Sequence, residues 1–357
     1  MRPATQAHAA LEGNLGAMRR AWRSRLWTGV FVVAVVLAAA TLPAAGIASG
    51  GGHSSKRHSR RLARHVVARK RVPPVTEPAF RCQVFPSNNP LNEEIANAPV
   101  NPNSASYVAS IGLGAHLHPD FGTNPTYGIP YAVVGPEQPQ VPITFTEFGE
   151  ESDPGPYPVP PNSPIEGGGG NGDRHVLVAQ EGGCTLYEMY HAHKRRGRHG
   201  GWRAGSGAVW HLNSNALRPE GWTSADAAGL PIFPLLVRYP EVAGGHIEHA
   251  LRVTVPETQR GYIHPATHFA SSSTNPNLPP MGLRLRLKAS YPLGGFTGEA
   301  LVVLEALKRY GLIVADNGSP WFITGAPDTR WNDENLNQLK SVLGSEFEAV
   351  ESGPIIH

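Results

Sequence analysis

The chain has 357 residues, with 31 Lys+Arg against 28 Asp+Glu and two cysteines; its 40 Gly and 34 Pro make roughly one residue in five, against about one in eight in an ordinary domain. The charge is unevenly placed: residues 1–71 hold 13 of the basic residues and one acid, Glu12, which leaves 18 basic and 27 acidic residues, a net of −9, for residues 72–357. An acidic domain argues against nucleic acid as a partner, because phosphate binding needs basic surface.

In chain order, the first element is an apolar stretch from Leu26 to Ala48, preceded by Arg19, Arg20, Arg23 and Arg25 and closed by Ala44, Ala45, Gly46 and Ala48. Basic, then apolar, then small is the layout of a secretory signal peptide, with cleavage expected after Ala48. The apolar run before Pro43 is about 17 residues, close to the minimum for a bilayer span, so residues 1–48 read as a signal peptide or a signal anchor. Residues 49–77 read as a disordered linker. Its Lys56, Arg57, Arg60, Arg61, Arg64, Arg69, Lys70 and Arg71 would be drawn to an anionic membrane or wall surface. One globular domain is expected over residues 78–350, with 351–357 as a tail. Cys82 and Cys184, an even count in an exported chain, read as one disulfide closing a loop of about 100 residues.

Within the domain, His175–Ala179 and Thr185–Tyr190 flank Gly182-Gly183 and read as paired strands. Leu251, Val253 and Val255 alternate with Arg252 and Thr254, and Leu283, Leu285 and Leu287 alternate with Arg284, Arg286 and Lys288. Short strands between Gly/Pro-rich loops, such as Asp153–Pro161 and Gly167–Gly172, predict a mainly β fold, a β-sandwich or jelly roll, with two short helices near the C-terminus. The helices are expected over Thr297–Tyr310, stopped by Gly311, and over Asp333–Leu343, capped by Asn332 and ended by Gly344. Leu312–Ala315 and Trp321–Ile323 read as a strand pair around Asn317-Gly318.

The segments Ser152–Tyr157, Gly172-Asp173-Arg174-His175-Val176-Leu177, Asn215–Asp226, Pro280–Arg284 and Lys308–Gly318 resemble a family of uncharacterised secreted bacterial proteins, over about Cys82 to Val350. The resemblance implies export and carries no functional residues across. In style, the architecture is similar to jelly-roll carbohydrate-active proteins.

The candidate chemistry follows from residue types. Arg284, Arg286 and Lys288, on one face of a strand, can hold the carboxylates of an acidic polysaccharide, as cations do in lyases where a Tyr or His removes the neighbouring proton. Trp222 offers a stacking face and Asp226 a partner for hydroxyls, with Tyr190 and His249 as the expected catalytic groups. Asp173, Arg174 and His175 beside Glu188 form a second acid/base candidate, and Glu147, Glu150, Glu151 and Asp153 a carboxylate loop suited to glycoside hydrolysis or calcium. Pairs such as His116/His118, His246/His249 and His264/His268 have imidazoles but no metalloprotease spacing; no metal and no cofactor is expected. Nucleophile-elbow, Walker and dinucleotide motifs are absent from the sequence. The expected function is extracytoplasmic binding, with cleavage by lyase or glycosidase chemistry, of a polysaccharide or cell-wall polymer. The alternatives are a non-enzymatic envelope or adhesion protein and, third, a metal-dependent hydrolase.

Overall fold

The computed structural model describes residues 75–195 and 200–357. The expected signal segment and most of the basic linker lie outside the described residues; within them, no helix is long and apolar enough to cross a membrane. The folded unit carries thirteen described strands and four short α-helices. They are α1 (Ser104–Ile111), β1 (His118–Asp120), β2 (Tyr131–Val134), β3 (Ile143–Phe145), β4 (Val176–Gln180), β5 (Thr185–Tyr190), β6 (His193–Lys194), β7 (Trp202–Ala204) and β8 (Ser206–His211). The chain continues through α2 (Tyr239–Ala243), β9 (Leu251–Val255), β10 (Arg284–Leu287), α3 (Gly298–Arg309), β11 (Leu312–Asn317), β12 (Phe322–Thr324), α4 (Asp333–Leu336) and β13 (Phe347–Ala349).

Three open sheets result: β1-β12-β9-β11-β10-β13, β2-β4-β5-β8 and β3-β7-β6. All three are mixed, because β1 runs parallel to β12, β9 to β11, β2 to β4 and β3 to β7. The fold is therefore mainly β, with parallel pairs that the expected hairpin-built sandwich does not include.

The four-stranded sheet is covered on both faces, which explains the unbroken apolar run Val176–Ala179. Leu177, Ala179 and Leu186 face the main core with Leu251, Val253, Leu285, Leu304 and Val314, while Val176, Val178 and Met189 join Tyr157 and Trp202 in a second core. Helix α3 packs on the main core through Ala300, Val303, Leu304 and Leu307, at helical spacing, and Lys308 and Arg309 complement the dipole at its last turn. The expected second C-terminal helix is shorter than its leucine spacing suggests: α4 stops at Leu336 and tightens into a 3-10 turn over Asn337–Ser341. There Asn335 is taken up at the start of α3, its Oδ1 accepting from the Ala300 N–H and its Nδ2 donating to Thr297 O.

Two expectations are corrected. Strands β11 and β12 do not pair around Asn317-Gly318; β9 lies between them, parallel to one and antiparallel to the other. The cations of β10 do not form an exposed row. Leu283, Leu285 and Leu287 fill the core as their alternation predicts, but the opposite face lies under residues 90–98, so Arg284 and Arg286 are buried too. Cys82 and Cys184 form the expected disulfide.

Candidate functional site

The densest polar arrangement is built around Arg252, the second residue of β9. Its neighbours Leu251 and Val253 point into the core, so strand geometry sends Arg252 to the other face. There its guanidinium holds Asp226 with two bonds, Nε to Oδ2 and Nη2 to Oδ1, each 2.8 Å. Nη2 also donates to Asp316 Oδ2 at 3.1 Å, and Nη1 donates to Thr324 Oγ1 at 2.9 Å. Asp226 is fixed from its own loop, since its N–H donates to Ser224 Oγ and Thr223 Oγ1 donates to its carbonyl.

Asp316 reaches this face because of an irregularity. The register of β11 against β9 shifts between Val314 and Asp316, which sets Asp316 opposite Thr254. Without the bulge, simple alternation would turn the carboxylate to the other face. On the far side, β1 ends at Asp120, paired in register with Thr324. Asp120, Thr324, Arg252 and Asp316 thus lie across four adjacent strands of one sheet.

The four-stranded sheet supplies the remainder. His175, just before β4, is buried, with Nδ1 2.8 Å from Glu166 Oε2 and Nε2 3.0 Å from the carbonyl of Ala225. Both partners are acceptors, so both ring nitrogens carry hydrogen and the ring is an imidazolium. Burial works against that charge, but Glu166 more than offsets it and raises the His175 pKa to about 9. Glu166 in turn is held low: burial favours its acid form, and the imidazolium outweighs it. The Tyr190 ring, at the end of β5, is 5.8 Å from that of His175.

Five carboxyls (Asp120, Glu166, Asp173, Asp226 and Asp316) thus surround two cations, and the excess is relieved by protons. Burial pushes Asp316 up to about 7; Arg252 opposes the rise, while Asp226 and Asp173 add to it. Burial also raises Asp120, helped by the charge of Glu166 and opposed by Arg252. Both remain reachable: Asp316 keeps 27% of its side-chain surface exposed, and Asp120 is half-buried. An acid that retains its proton near neutrality, beside solvent, can donate it to a bound substrate.

Of the residues expected from sequence, Tyr190, Asp226, Asp173 and His175 belong to this cluster, whereas His249, Trp222, Arg284, Arg286 and Lys288 do not. His249 lies elsewhere, with Nε2 between Arg238 and Glu241 and Nδ1 on the Ala250 carbonyl. Trp222 packs beside the Arg218 guanidinium, 5.7 Å away. Arg284 donates to the carbonyls of Pro90 and Tyr310, and Arg286 to Glu348 and to the carbonyls of Ile95, Ala96 and Ala98. Lys288 donates to Ser345 O. These three cations brace the chain through bonds to protein acceptors. Glu188 accepts from the N–H groups of Ile232 and Phe233 and from Trp210, so His175 finds its acid in Glu166 instead. Among the described residues, no group of three or more His, Cys, Asp or Glu is arranged to hold a metal ion.

Sequence reasoning missed Arg252, Asp316, Asp120 and Glu166 as members of one site. The only available signal was the charge inside the Leu251–Val255 alternation, which does not differ in kind from that of Arg284. Comparison of the chain with protein-family models, curated proteins and solved structures finds no match.

Proposed function

We propose that this is an extracytoplasmic protein that binds a polysaccharide or cell-wall polymer and hydrolyses its glycosidic bonds at the Arg252 cluster. The observation that carries the reading is the placement of two accessible carboxyls, Asp316 and Asp120, on one sheet face, flanking a buried arginine, with Asp316 raised to about 7. Glycoside hydrolysis uses two carboxyls, one of which keeps its proton near neutrality, as the raised pKa of Asp316 allows. In this reading Asp316 gives its proton to the leaving-group oxygen as the bond from the anomeric carbon breaks. A water attacks that carbon and loses its proton to Asp120 in its ionised form, which the charge of Arg252 favours. Arg252 acts as a positioning residue that holds Asp316 on the bulge, and the His175 imidazolium keeps Glu166 ionised next to Asp120.

The test is release of reducing ends by the full chain from a panel of envelope and environmental glycans, with absorbance of unsaturated sugars followed in parallel. The expected result is hydrolysis that falls at least about 100-fold in Asp316→Asn, the usual worth of a general acid, with an unchanged far-UV spectrum. Unsaturated products would replace hydrolysis by lyase chemistry. No cleavage of any glycan, or an Asp316→Asn variant as active as the parent, would leave the cluster as a brace between sheets and favour the non-enzymatic envelope role.

A further inference from the structure

The small sheet β3-β7-β6 turns one face to the second core, where Trp202 and Ala204 are buried and Ile143 and Phe145 pack against them. Its other face looks to solvent. Strand pairing sets Thr144 beside Arg203, and Arg203 beside His193, on that outer face. Thr144 and Arg203 are exposed, and His193 is half-buried. Arg195, exposed and two residues beyond His193, brings Nη1 to 3.4 Å from Thr144 Oγ1.

Among the described residues, Arg195 and Arg203 form no salt bridge. Arg174 adds a third charge within electrostatic reach of His193, its own donors going to the carbonyls of Gly169, Gly170 and Ala192. Burial lowers the His193 pKa most, and Arg174, His191 and Arg203 lower it further, against the charge of Glu147. Glu147 is itself engaged, accepting from His191 Nδ1 at 2.5 Å. Residues 72–357 carry a net charge of −9, so cations gathered on one sheet face of this domain suit an anionic partner.

The spacing selects the kind of anion. Side chains on one sheet face stand about 5 Å apart across strands and about 7 Å apart along a strand. Such an array meets one charge every several ångströms, as in a chain of uronic acids with one carboxylate per ring. Nucleic acid carries one per roughly 1.7 Å of axis, and the acidic surround would repel the excess. A guanidinium receives a carboxylate through two parallel hydrogen bonds, and the Thr144 hydroxyl is free to bond a ring hydroxyl. The face also leads to the Arg252 cluster: ring centroids step 4.8 Å from His193 to His191, 5.8 Å on to Tyr190 and 5.8 Å on to His175. We infer that the outer face of β3-β7-β6 binds a polyuronate segment, with Arg195 and Arg203 holding its carboxylates beside Thr144. The inference names the charge of the polymer and rests on the glycan reading above, but not on cleavage.

The experiment follows the His193 ring signal by NMR in the full chain carrying Asp316→Asn, so that failure of the proposed hydrolysis leaves the binding test intact. Absence of the signal in His193→Gln identifies it, and it reports this face whatever the basic residues before Val72 bind. The probes are tetragalacturonate, its methyl ester and inorganic tripolyphosphate. Tetragalacturonate should shift the signal saturably and move its titration to higher pH, since a bound anion favours the imidazolium. The ester should bind at least roughly tenfold more weakly, as loss of one charge-assisted hydrogen bond requires, and tripolyphosphate no more tightly than the acid. Arg195→Gln with Arg203→Gln, exposed substitutions expected to leave the melting temperature unchanged, should weaken the acid by tenfold or more. No saturable shift, equal affinity for the ester, tighter tripolyphosphate or undiminished binding by the double variant would each overturn the assignment.

Discussion

A guanidinium removed from water needs acceptors for its N–H groups, and Arg286 meets the need more fully than its neighbour. Its Nε goes to the Glu348 carboxylate at 2.9 Å and its Nη1 to the carbonyls of Ile95, Ala96 and Ala98. Arg284 leaves its buried Nε without a partner, and burial pushes its pKa down to about 10. Truncating Arg286 strands both a carboxylate and three carbonyls, so Arg286→Met should lower unfolding stability by about 3–5 kcal/mol in urea titrations. A change of only a few tenths would mean that the arginine is effectively solvated. The alternation of Leu283 to Lys288 made the strand and its inward leucines legible. The fate of the other face was not legible, because it depends on residues 90–98, roughly 190 positions away in the chain. The same limit hid Arg252: a charge within a strand looks alike in sequence whether it meets water, a carbonyl or an aspartate. The Cys82–Cys184 bond needed only a count and a compartment, so it was read correctly.

At the level of elements, the joint between α3 and β11 depends on Gly311. Its φ is +69°, and a Cβ there would sit 2.2 Å from the carbonyl oxygen of Leu285 on β10. Gly311→Ala combines left-handed strain with a backbone clash and should cost at least about 2 kcal/mol. Gly295→Ala, where an added Cβ meets nothing within 4 Å, should stay within about 0.5 kcal/mol. Similar melting temperatures for the two variants would contradict this account. Gly311 was readable as a helix stop because its signal is local. The Asn317-Gly318 turn is local too, yet it misled, since a turn signal does not report whether a third strand enters between the two it joins. Helix α1 buries Ser104, Tyr107, Val108 and Ile111 along one face, a spacing that went unread in a helix of 8 residues. The bulge that turns Asp316 toward Arg252 has no sequence marker.

Across the whole molecule, buried titratable groups set a pH dependence with a definite sign. Burial raises Glu77 to about 8, Glu188 to about 7 and Asp316 to about 7, from ordinary values of 4.5, 4.5 and 3.8. A raised pKa means the folded state binds the proton more tightly, so the associated stability is complete below the unfolded values and is lost as pH rises through 7 to 8. His175, raised to about 9 by Glu166 against the effect of burial, loses its contribution as pH climbs from 6.5 through 9. Glu241, held at about 2, acts oppositely: its contribution is present above 4.5 and lost as pH falls toward 2. The thermal midpoint should therefore peak near pH 4.5–5 and decline toward pH 9, and Glu77→Gln should flatten the part of that decline between 4.5 and 8. A midpoint highest at pH 8 would refute the scheme. The disulfide spans 102 positions, so replacing both cysteines with serine should cost roughly 4–5 kcal/mol, and labelling of the denatured, unreduced chain should find no free thiol.

The six-stranded sheet also dictates a schedule. Its first strand in the chain, β1, has β12 as its only neighbour in the sheet, its last strand β13 edges β10, and Val100 bridges to Val350. Pairings of such long range are entropically slow to form, and none of these can form until the distal partner exists. As the ribosome delivers the chain, α1 and β1 emerge early and wait through some two hundred further residues for their partners. Completion of the six-stranded sheet is thus a late event, whereas the four-stranded sheet β2-β4-β5-β8 has all of its strands by residue 211 and can close well before it.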